Sequence, residues 1–529
     1  MKNYQGFLSL VLHAHLPFVR HPEHADMMEE RWLFEAVTET YIPLLEIFGK
    51  LVADGVKFRI TMSLTPPLLN MLADSLLIER YSRHLAKLEE LAASEVDRTR
   101  WQHEFHATAL MYRERFRRIR SIFSGCGGNL ISLFKKYQDL GVLEIITCCA
   151  THGFLPLLSD FRPAVKAQIE MAVRDYQKHF SRSPRGIWLA ECAYSPGDDE
   201  ILKEFGIKYF FTDTHGLLFA EPRPLYGVYA PIECPSGVCA FGRDVESSRQ
   251  VWSAHEGYPG DFAYREYYRD IGHDLEFDYI RPFIHESGFR LNTGIKYHRI
   301  TSRDGAEKQP YNYQEAMARV AAHAGHFIAC REQQIKQLAP AMDRPPVIVS
   351  PYDCELFGHW WFEGPEFIHH VLRKTAIESN VVNLATPSDY LDVCPNNQKC
   401  TPSLSSWGHR GYNEVWLNES NAWIYPHMHK AAQRMIELAD RFPAADGLLL
   451  RALNQAAREL MLLQSSDWAF IMKTGTTVEY AHKRTRDHTF RFNKLYEDIT
   501  SGKINESWLR EVEWRDNIFP EMDYSIYRS

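Results

Sequence analysis

Short apolar runs punctuate the first three quarters of this 529-residue chain, and helical patterns separate most of them. The runs are Phe7–Leu12, Phe58–Ser63, Leu143–Thr147, Ile187–Ala190, Tyr209–Thr212, Val347–Ser350 and Val381–Leu384. Between them lie stretches of helical spacing such as Trp32–Leu51, Ala164–Phe180, Asp199–Phe205 and Tyr313–Leu338. Strands that alternate with helices pair in parallel, because a crossover helix returns the chain to the same edge of the sheet. Seven such strands predict an α/β fold, an incomplete or distorted β/α barrel; a doubly wound open sheet is the other arrangement the pattern allows. From Trp407 onward strand signals stop, and Met428–Phe442, Leu448–Leu463 and Val478–Ile499 predict a C-terminal helical domain.

In a barrel, functional side chains collect just past the C-terminal ends of the strands. Here the residues at those exits are His13 and His15, Thr65, Thr151 and His152, Glu191, Asp213 and His215, and Asp353. A His, Asp or Glu stands at five of the seven exits, which random loop composition would not give. Glu191 ends the apolar run of Gly186–Tyr194, and Asp353 ends that of Pro346–Asp353. The second acid is followed by the aromatic run Phe357-Gly358-His359-Trp360-Trp361-Phe362, in which Trp360 is a candidate sugar platform. Two acids among aromatic rings suit carbohydrate chemistry: retaining glycoside cleavage uses one ionised carboxylate and one protonated carboxyl, and apolar neighbours raise the pKa of the second.

The His13-Ala14-His15 pair reads three ways: zinc ligands of a barrel hydrolase, contacts to sugar hydroxyls, or structural filler. The sugar reading is favoured, and no metal or other cofactor is expected. Trp407 and Trp416 sit in a polar, Gly- and Asn-containing stretch suited to stacking, although a core role is the default for any tryptophan. Asp467 in Ser465-Ser466-Asp467-Trp468 is balanced between hydroxyl binding and a helix-terminal role.

Two connections are too long for simple crossovers. Leu68 to Gly141 carries charge at helical spacing, which predicts a helical insertion (70–140) whose arginines form a solvated face rather than an anion site. Thr214 to Arg344 contains Cys234–Asp244, His255–Asp261 and Tyr264–Asp270, which predict a lid-like insertion (214–310). The resulting division is a barrel over 1–405, interrupted by these two segments, and a helical domain over 406–529.

The net charge of -8 argues against nucleic acid or an anionic membrane as the main partner. The run ahead of His13 is too short for a secretory h-region or a membrane span. Ten cysteines without any CxxC pair suggest a reduced, cytoplasmic protein, expected to act as a monomer or weak homo-oligomer.

Five segments, taken in order, resemble the signature regions of glycoside hydrolase family 57. They are His13–Pro17, Gly141–Glu144, Trp188–Tyr194, Tyr352–Trp361 and Ser406–Gly408. The resemblance spans nearly the whole chain and is nearest to the α-glucan branching members. It implies a (β/α)7 barrel and a metal-free retaining mechanism acting on α-1,4-glucan, with Glu191 as nucleophile and Asp353 as general acid/base. It also implies that His13, His15, His152 and Trp188 line the cleavage subsite. Trp407, Trp416 and Asp467 would hold the glucan from the C-terminal domain, and Arg265 would reach it from the lid. One departure stands out. Branching members typically carry a tyrosine at the tip of the lid matching Pro235–Asp244, where this chain has Cys239-Ala240-Phe241. Without it water could reach the intermediate, so an α-amylase or 4-α-glucanotransferase is the second reading. A metal-dependent barrel hydrolase is a remote third.

Overall fold

The computed structural model describes residues 4–529 except 254–255, 286–287, 303–304 and 306. Ten strands are present among the described residues. They are β1 (Gly6–Ala14), β2 (Ile60–Leu64), β3 (Leu143–Cys148), β4 (Gly186–Trp188), β5 (Tyr209–Thr212), β6 (Ile232–Glu233), β7 (Cys239–Gly242), β8 (Val347–Asp353), β9 (Val382–Leu384) and β10 (Gln398–Lys399). The sheet runs β10-β6-β7-β5-β4-β3-β2-β1-β8, with β9 also on β1. Every pairing is parallel except β6 with β7. The parallel strands therefore follow chain order around a curled sheet, as in a barrel of seven staves. Between the end staves β7 and β8 there is no ladder, but the Asp244 N–H reaches the Val349 carbonyl at 2.9 Å. This is the incomplete barrel expected from the strand pattern.

β1 is the most widely paired stave, bonded to β2, β8 and β9. It is buried along almost its whole length, and its register sets His13 opposite both Ser63 of β2 and Asp353 of β8. Near-continuous apolar runs of this kind belong to parallel strands covered on both faces. The six other expected strands appear in place, some with shifted ends, whereas β6, β7 and β10 are additional. β7 corrects the reading of Pro235–Asp244 as a lid. Cys239–Gly242 pairs residue by residue with Tyr209–Thr212 of β5, and the hairpin turn before it sits at the N-terminal end of these parallel strands. That is the rim opposite the strand exits, so Ile232–Gly242 belongs to the sheet and not to the 214–310 insertion.

The 70–140 stretch folds into the helices Ser75–Arg98, His103–Gly125 and Leu130–Asp139. Its arginines mostly pair with nearby acids, among them Arg117 with Glu114 and Arg118 with Glu46. After β10 the chain is helical: Ile424–Arg441, Gly447–Leu463, Ser466–Thr474, Val478–Ser501 and Glu506–Arg515. One apolar cluster runs without a break from the barrel strands into these helices.

Candidate active site

The strand exits open onto a cavity of about 820 Å3. His13, His15, His152, Glu191, Arg243, Asp353 and Glu355 line it, together with Trp252, Trp360, Trp407, Trp416 and Asp467. Eight expected residues thus share one cavity: both acids, the three histidines, Trp360, Trp407 and Asp467. Trp416 borders it only at an edge: it is fully buried and stacks on Phe154 at 4.5 Å, so it is a core ring and not the expected sugar platform.

Glu191 is held in a strained turn. β4 stops at Trp188, and Ala190–Cys192 form a tight turn in which Glu191 has φ 62° and ψ 23°. A non-glycine residue persists there only when its surroundings fix it, and such strain gathers at functional sites. Trp407 supplies two of the fixings: its backbone N–H donates to the Glu191 carbonyl at 2.9 Å, and its indole Nε1–H to Glu191 Oε2 at 2.8 Å. Ser466 Oγ donates to Oε1 at 3.2 Å. His152 is strained in the same sense (φ 60°), and its carbonyl accepts the Ser466 N–H at 3.0 Å.

Burial pushes the Glu191 carboxyl up to about 7, against the pull of the Trp407 hydrogen bond. Burial also pushes Asp353 up to about 7, and the neighbouring Glu355 carboxylate adds to the shift. The two acids differ in their partners. Glu191 accepts two side-chain hydrogen bonds, while among the described residues no side chain donates to Asp353. Donors favour the ionised form, so the hydrogen bonds favour charge on Glu191 more than on Asp353.

The histidines form a stacked set. His15 and His152 lie 3.7 Å apart between ring centroids, and His13 stacks on Trp188 at 4.8 Å. His15 Nε2 meets the Asp467 carboxylate at 3.0 Å and its Nδ1 meets Thr65 Oγ1 at 3.0 Å. Burial opposes a charge on His15, yet Asp467 raises its pKa above the usual histidine value. Asp467 is in turn held down to about 2 by the His15 charge in spite of its burial. Burial keeps His13 and His152 well below the usual value, hence neutral. His15, His152 and Asp467 also bring one potential metal-ligand atom each within 4.8 Å, as do His13, Cys148 and His152. Most of these atoms are committed to one another, to Thr65 and to Ser466.

Two expected contacts lie elsewhere. Trp188 is fully buried beneath His13 and edge-on to Trp407, so it supports the lining without reaching the cavity. Arg265 is also buried: it stacks on Phe362 at 4.2 Å and donates to Tyr112 at 3.1 Å. It knits the second insertion to the first and does not line the cavity. His255 and Ala254 fall outside the described residues. Asp213, Thr151 and His215 serve structure: Asp213 caps a helix, while Thr151 bonds the Met461 carbonyl and His215 Nε2 reaches the Gly411 carbonyl at 2.7 Å, both tying the barrel to the C-terminal part of the chain.

Sequence reasoning missed Arg243, Glu355 and Ser466. Arg243 is the exit residue of β7, a strand that went unread. Glu355 stands two residues from Asp353, and its carboxylate accepts the Tyr41 hydroxyl and, at 3.2 Å, the His15 N–H. Tyr41 comes from Val37–Tyr41, a π-helical turn set between two α-helices.

A barrel with two acids facing one cavity at its strand exits and a helical domain closing the site is a glycosidase architecture, and the chain belongs to glycosyl hydrolase family 57, whose family model matches residues 9–348. Residues 427–527 match the model described as 1,4-alpha-glucan branching enzyme, C-terminal. A 1,4-alpha-glucan branching enzyme of Thermococcus kodakarensis is 35% identical over 97% of this chain and 77% of its own length. Among solved structures, the α-amylase AmyC of Thermotoga maritima is 49% identical, with a TM-score of 0.93 over 99% of both chains. A branching enzyme of this family from Pyrococcus horikoshii is 34% identical, with a TM-score of 0.89 over 99% of this chain and 97% of its own.

Proposed function

We propose that this protein is a 1,4-α-glucan branching enzyme, a retaining transglycosidase that cuts an α-1,4 chain and joins the fragment to a 6-hydroxyl of another. The observation that carries the reading is the pair of acids in one aromatic-lined cavity, one accepting two side-chain hydrogen bonds and the other none among the described residues. Glu191 attacks the anomeric carbon while Asp353 protonates the departing glycosidic oxygen, giving a covalent glucosyl ester. Asp353, now ionised, takes the proton of the incoming 6-hydroxyl, and Glu191 leaves as the carboxylate. The His15–Asp467 pair, with neutral His13 and His152 behind it, lines the cleavage subsite, and Trp360 and Trp407 offer faces for stacking. The catalytic unit is the 1–405 barrel with its insertions, and 406–529 contributes to glucan binding. Ten free cysteines suit a cytoplasmic enzyme, acting as a monomer or weak homo-oligomer. Among the described residues no helix is long and apolar enough to cross a membrane.

Two observations favour a second reading, hydrolysis of the same glucan. The 234–241 hairpin does not line the cavity, and the chain is similar to an α-amylase over its full length. Proton NMR of amylose after incubation, alongside a reducing-end assay, separates the two. Branching gives new α-1,6 anomeric signal with few new reducing ends. Reducing ends without that signal establish hydrolysis, and no change in either overturns both.

A further inference from the structure

Ser466 opens the helix Ser466–Thr474, and its hydroxyl stands between two groups of the site. Its Oγ is 2.8 Å from His152 Nδ1 and 3.2 Å from Glu191 Oε1. A hydroxyl has a single proton to give. An ionised Glu191 only accepts, so the Ser466 proton points there and the hydroxyl accepts from His152, whose Nδ1 must carry hydrogen. His152 is neutral, which leaves its Nε2 bare. That nitrogen lies 3.0 Å from His13 Nε2, which must therefore be the protonated nitrogen of a neutral His13. His13 Nδ1 is then a bare acceptor, and it is buried without a partner among the described residues.

The orphaned nitrogen fixes the direction of the chain. If Glu191 were the protonated member and donated to Ser466, each link would reverse, and the far end would be a buried His13 Nδ1–H with no acceptor. Unpaired buried N–H groups are rarer in proteins than under-used acceptors, and an unmade donor bears its full desolvation cost. We propose that Ser466 is a positioning residue for Glu191, the last link of a polarised His13–His152–Ser466 hydrogen-bond chain whose direction keeps Glu191 ionised for attack. The proposal rests on the reading of Glu191 as nucleophile. The other groups facing that carboxylate are Trp407, His15, Asp467 and Asp353, and the same donor would stabilise the carboxylate as it leaves the glucosyl ester.

Nitrogen-15 NMR of histidine-labelled protein reads the chain without any turnover. The expected tautomers are Nε2–H at His13 and Nδ1–H at His152. The Glu191 titration, followed by carbon-13 NMR of labelled glutamate and identified with Glu191→Gln, should move up by about one pH unit in Ser466→Ala. The acid limb of kcat/KM should move with it, and kcat/KM should fall about 10-fold or more. Ser466→Thr keeps the hydroxyl and should restore both. Opposite tautomers in the wild type, or a Glu191 titration unmoved in Ser466→Ala, overturn the proposal. Should Ser466→Ala fail to fold, the wild-type tautomers and Ser466→Thr decide it. A wild type with the expected tautomers but no action on α-glucan would instead sink the proposed function.

Discussion

At the scale of single residues, the pair Glu191 and Asp353 predicts the pH dependence. Burial pushes both carboxyls up to about 7, so near neutral pH the two share one proton, and the hydrogen bonds leave it on Asp353. In the proposed mechanism, as pH falls Glu191 gains a proton and ceases to be a nucleophile. As pH rises, Asp353 loses the proton the leaving group needs. A narrow bell in kcat/KM centred near neutrality is expected, its limbs being properties of the coupled pair. Asp353→Asn should lower kcat/KM by about 10²- to 10⁴-fold and remove the alkaline limb, while Glu191→Gln should cost about 10⁴-fold or more. A pH–rate series on wild type and both variants checks this, and a broad plateau from pH 5 to about 9 would contradict the pairing. Both acids were legible in the sequence because each ends a buried apolar run, where the fold leaves a side chain little choice of direction. Ser466 was not, because its meaning lies in a contact with Glu191 that spans 275 positions. Arg265 misled for the converse reason: a basic residue in an aromatic stretch looks the same in sequence whether it faces sugar or a buried ring.

At the scale of elements, the π-helical turn Val37–Tyr41 governs the segment after β8. π-Turns are rare and gather at functional sites because they turn side chains out of α-helical register. This one sends Tyr41 to Glu355 and Glu39 to His359, whose Nδ1 lies 2.6 Å from Glu39 Oε2. Gly358 makes the approach feasible: its φ is +129°, and a Cβ there would lie 2.0 Å from the Glu39 carbonyl oxygen. Burial raises the Glu355 carboxyl and the Tyr41 hydroxyl works against that shift by stabilising its charge; that charge, second to burial, helps keep the proton on Asp353. Tyr41→Phe should let Glu355 take up a proton more readily, so the alkaline limb assigned to Asp353 should move to lower pH. Glu355→Gln should move it the same way and further. A pH profile of Tyr41→Phe with that limb unmoved or shifted upward would refute the coupling. Helical periodicity and long apolar runs gave most of the elements from sequence alone, but β7 is only four residues long and begins directly after a tight hairpin. Cys-Ala-Phe-Gly at that length has no period to read, and the strand exists because β5 offers it an edge.

At the scale of the whole molecule, the barrel does not finish its own active site. Glu191 and His152, both in the left-handed region, are each held through their carbonyl by a backbone N–H from beyond residue 405, those of Trp407 and Ser466. Asp467, the charged partner of His15, comes from the same part of the chain. So does an outer ring of ties: Gly153 bridges Ser465, Thr151 bonds the Met461 carbonyl, His429 bonds the Leu157 carbonyl and Arg20 donates to the Trp514 carbonyl. Because one apolar cluster crosses this boundary, residues 1–405 expressed alone should expose a wide apolar face and lose every donor to Glu191. Left-handed strain at two positions, worth roughly 1–3 kcal/mol each, would then lack the contacts that hold it. The expected outcome is a fragment that binds a hydrophobic dye, aggregates on size exclusion and shows no activity on amylose. Trp407→Phe in the full chain, which removes only the indole donor, should remain folded with kcat/KM lowered about tenfold. An isolated barrel that stays monomeric and cleaves amylose would show that 406–529 only binds glucan, and that the strained turns are set within the barrel itself.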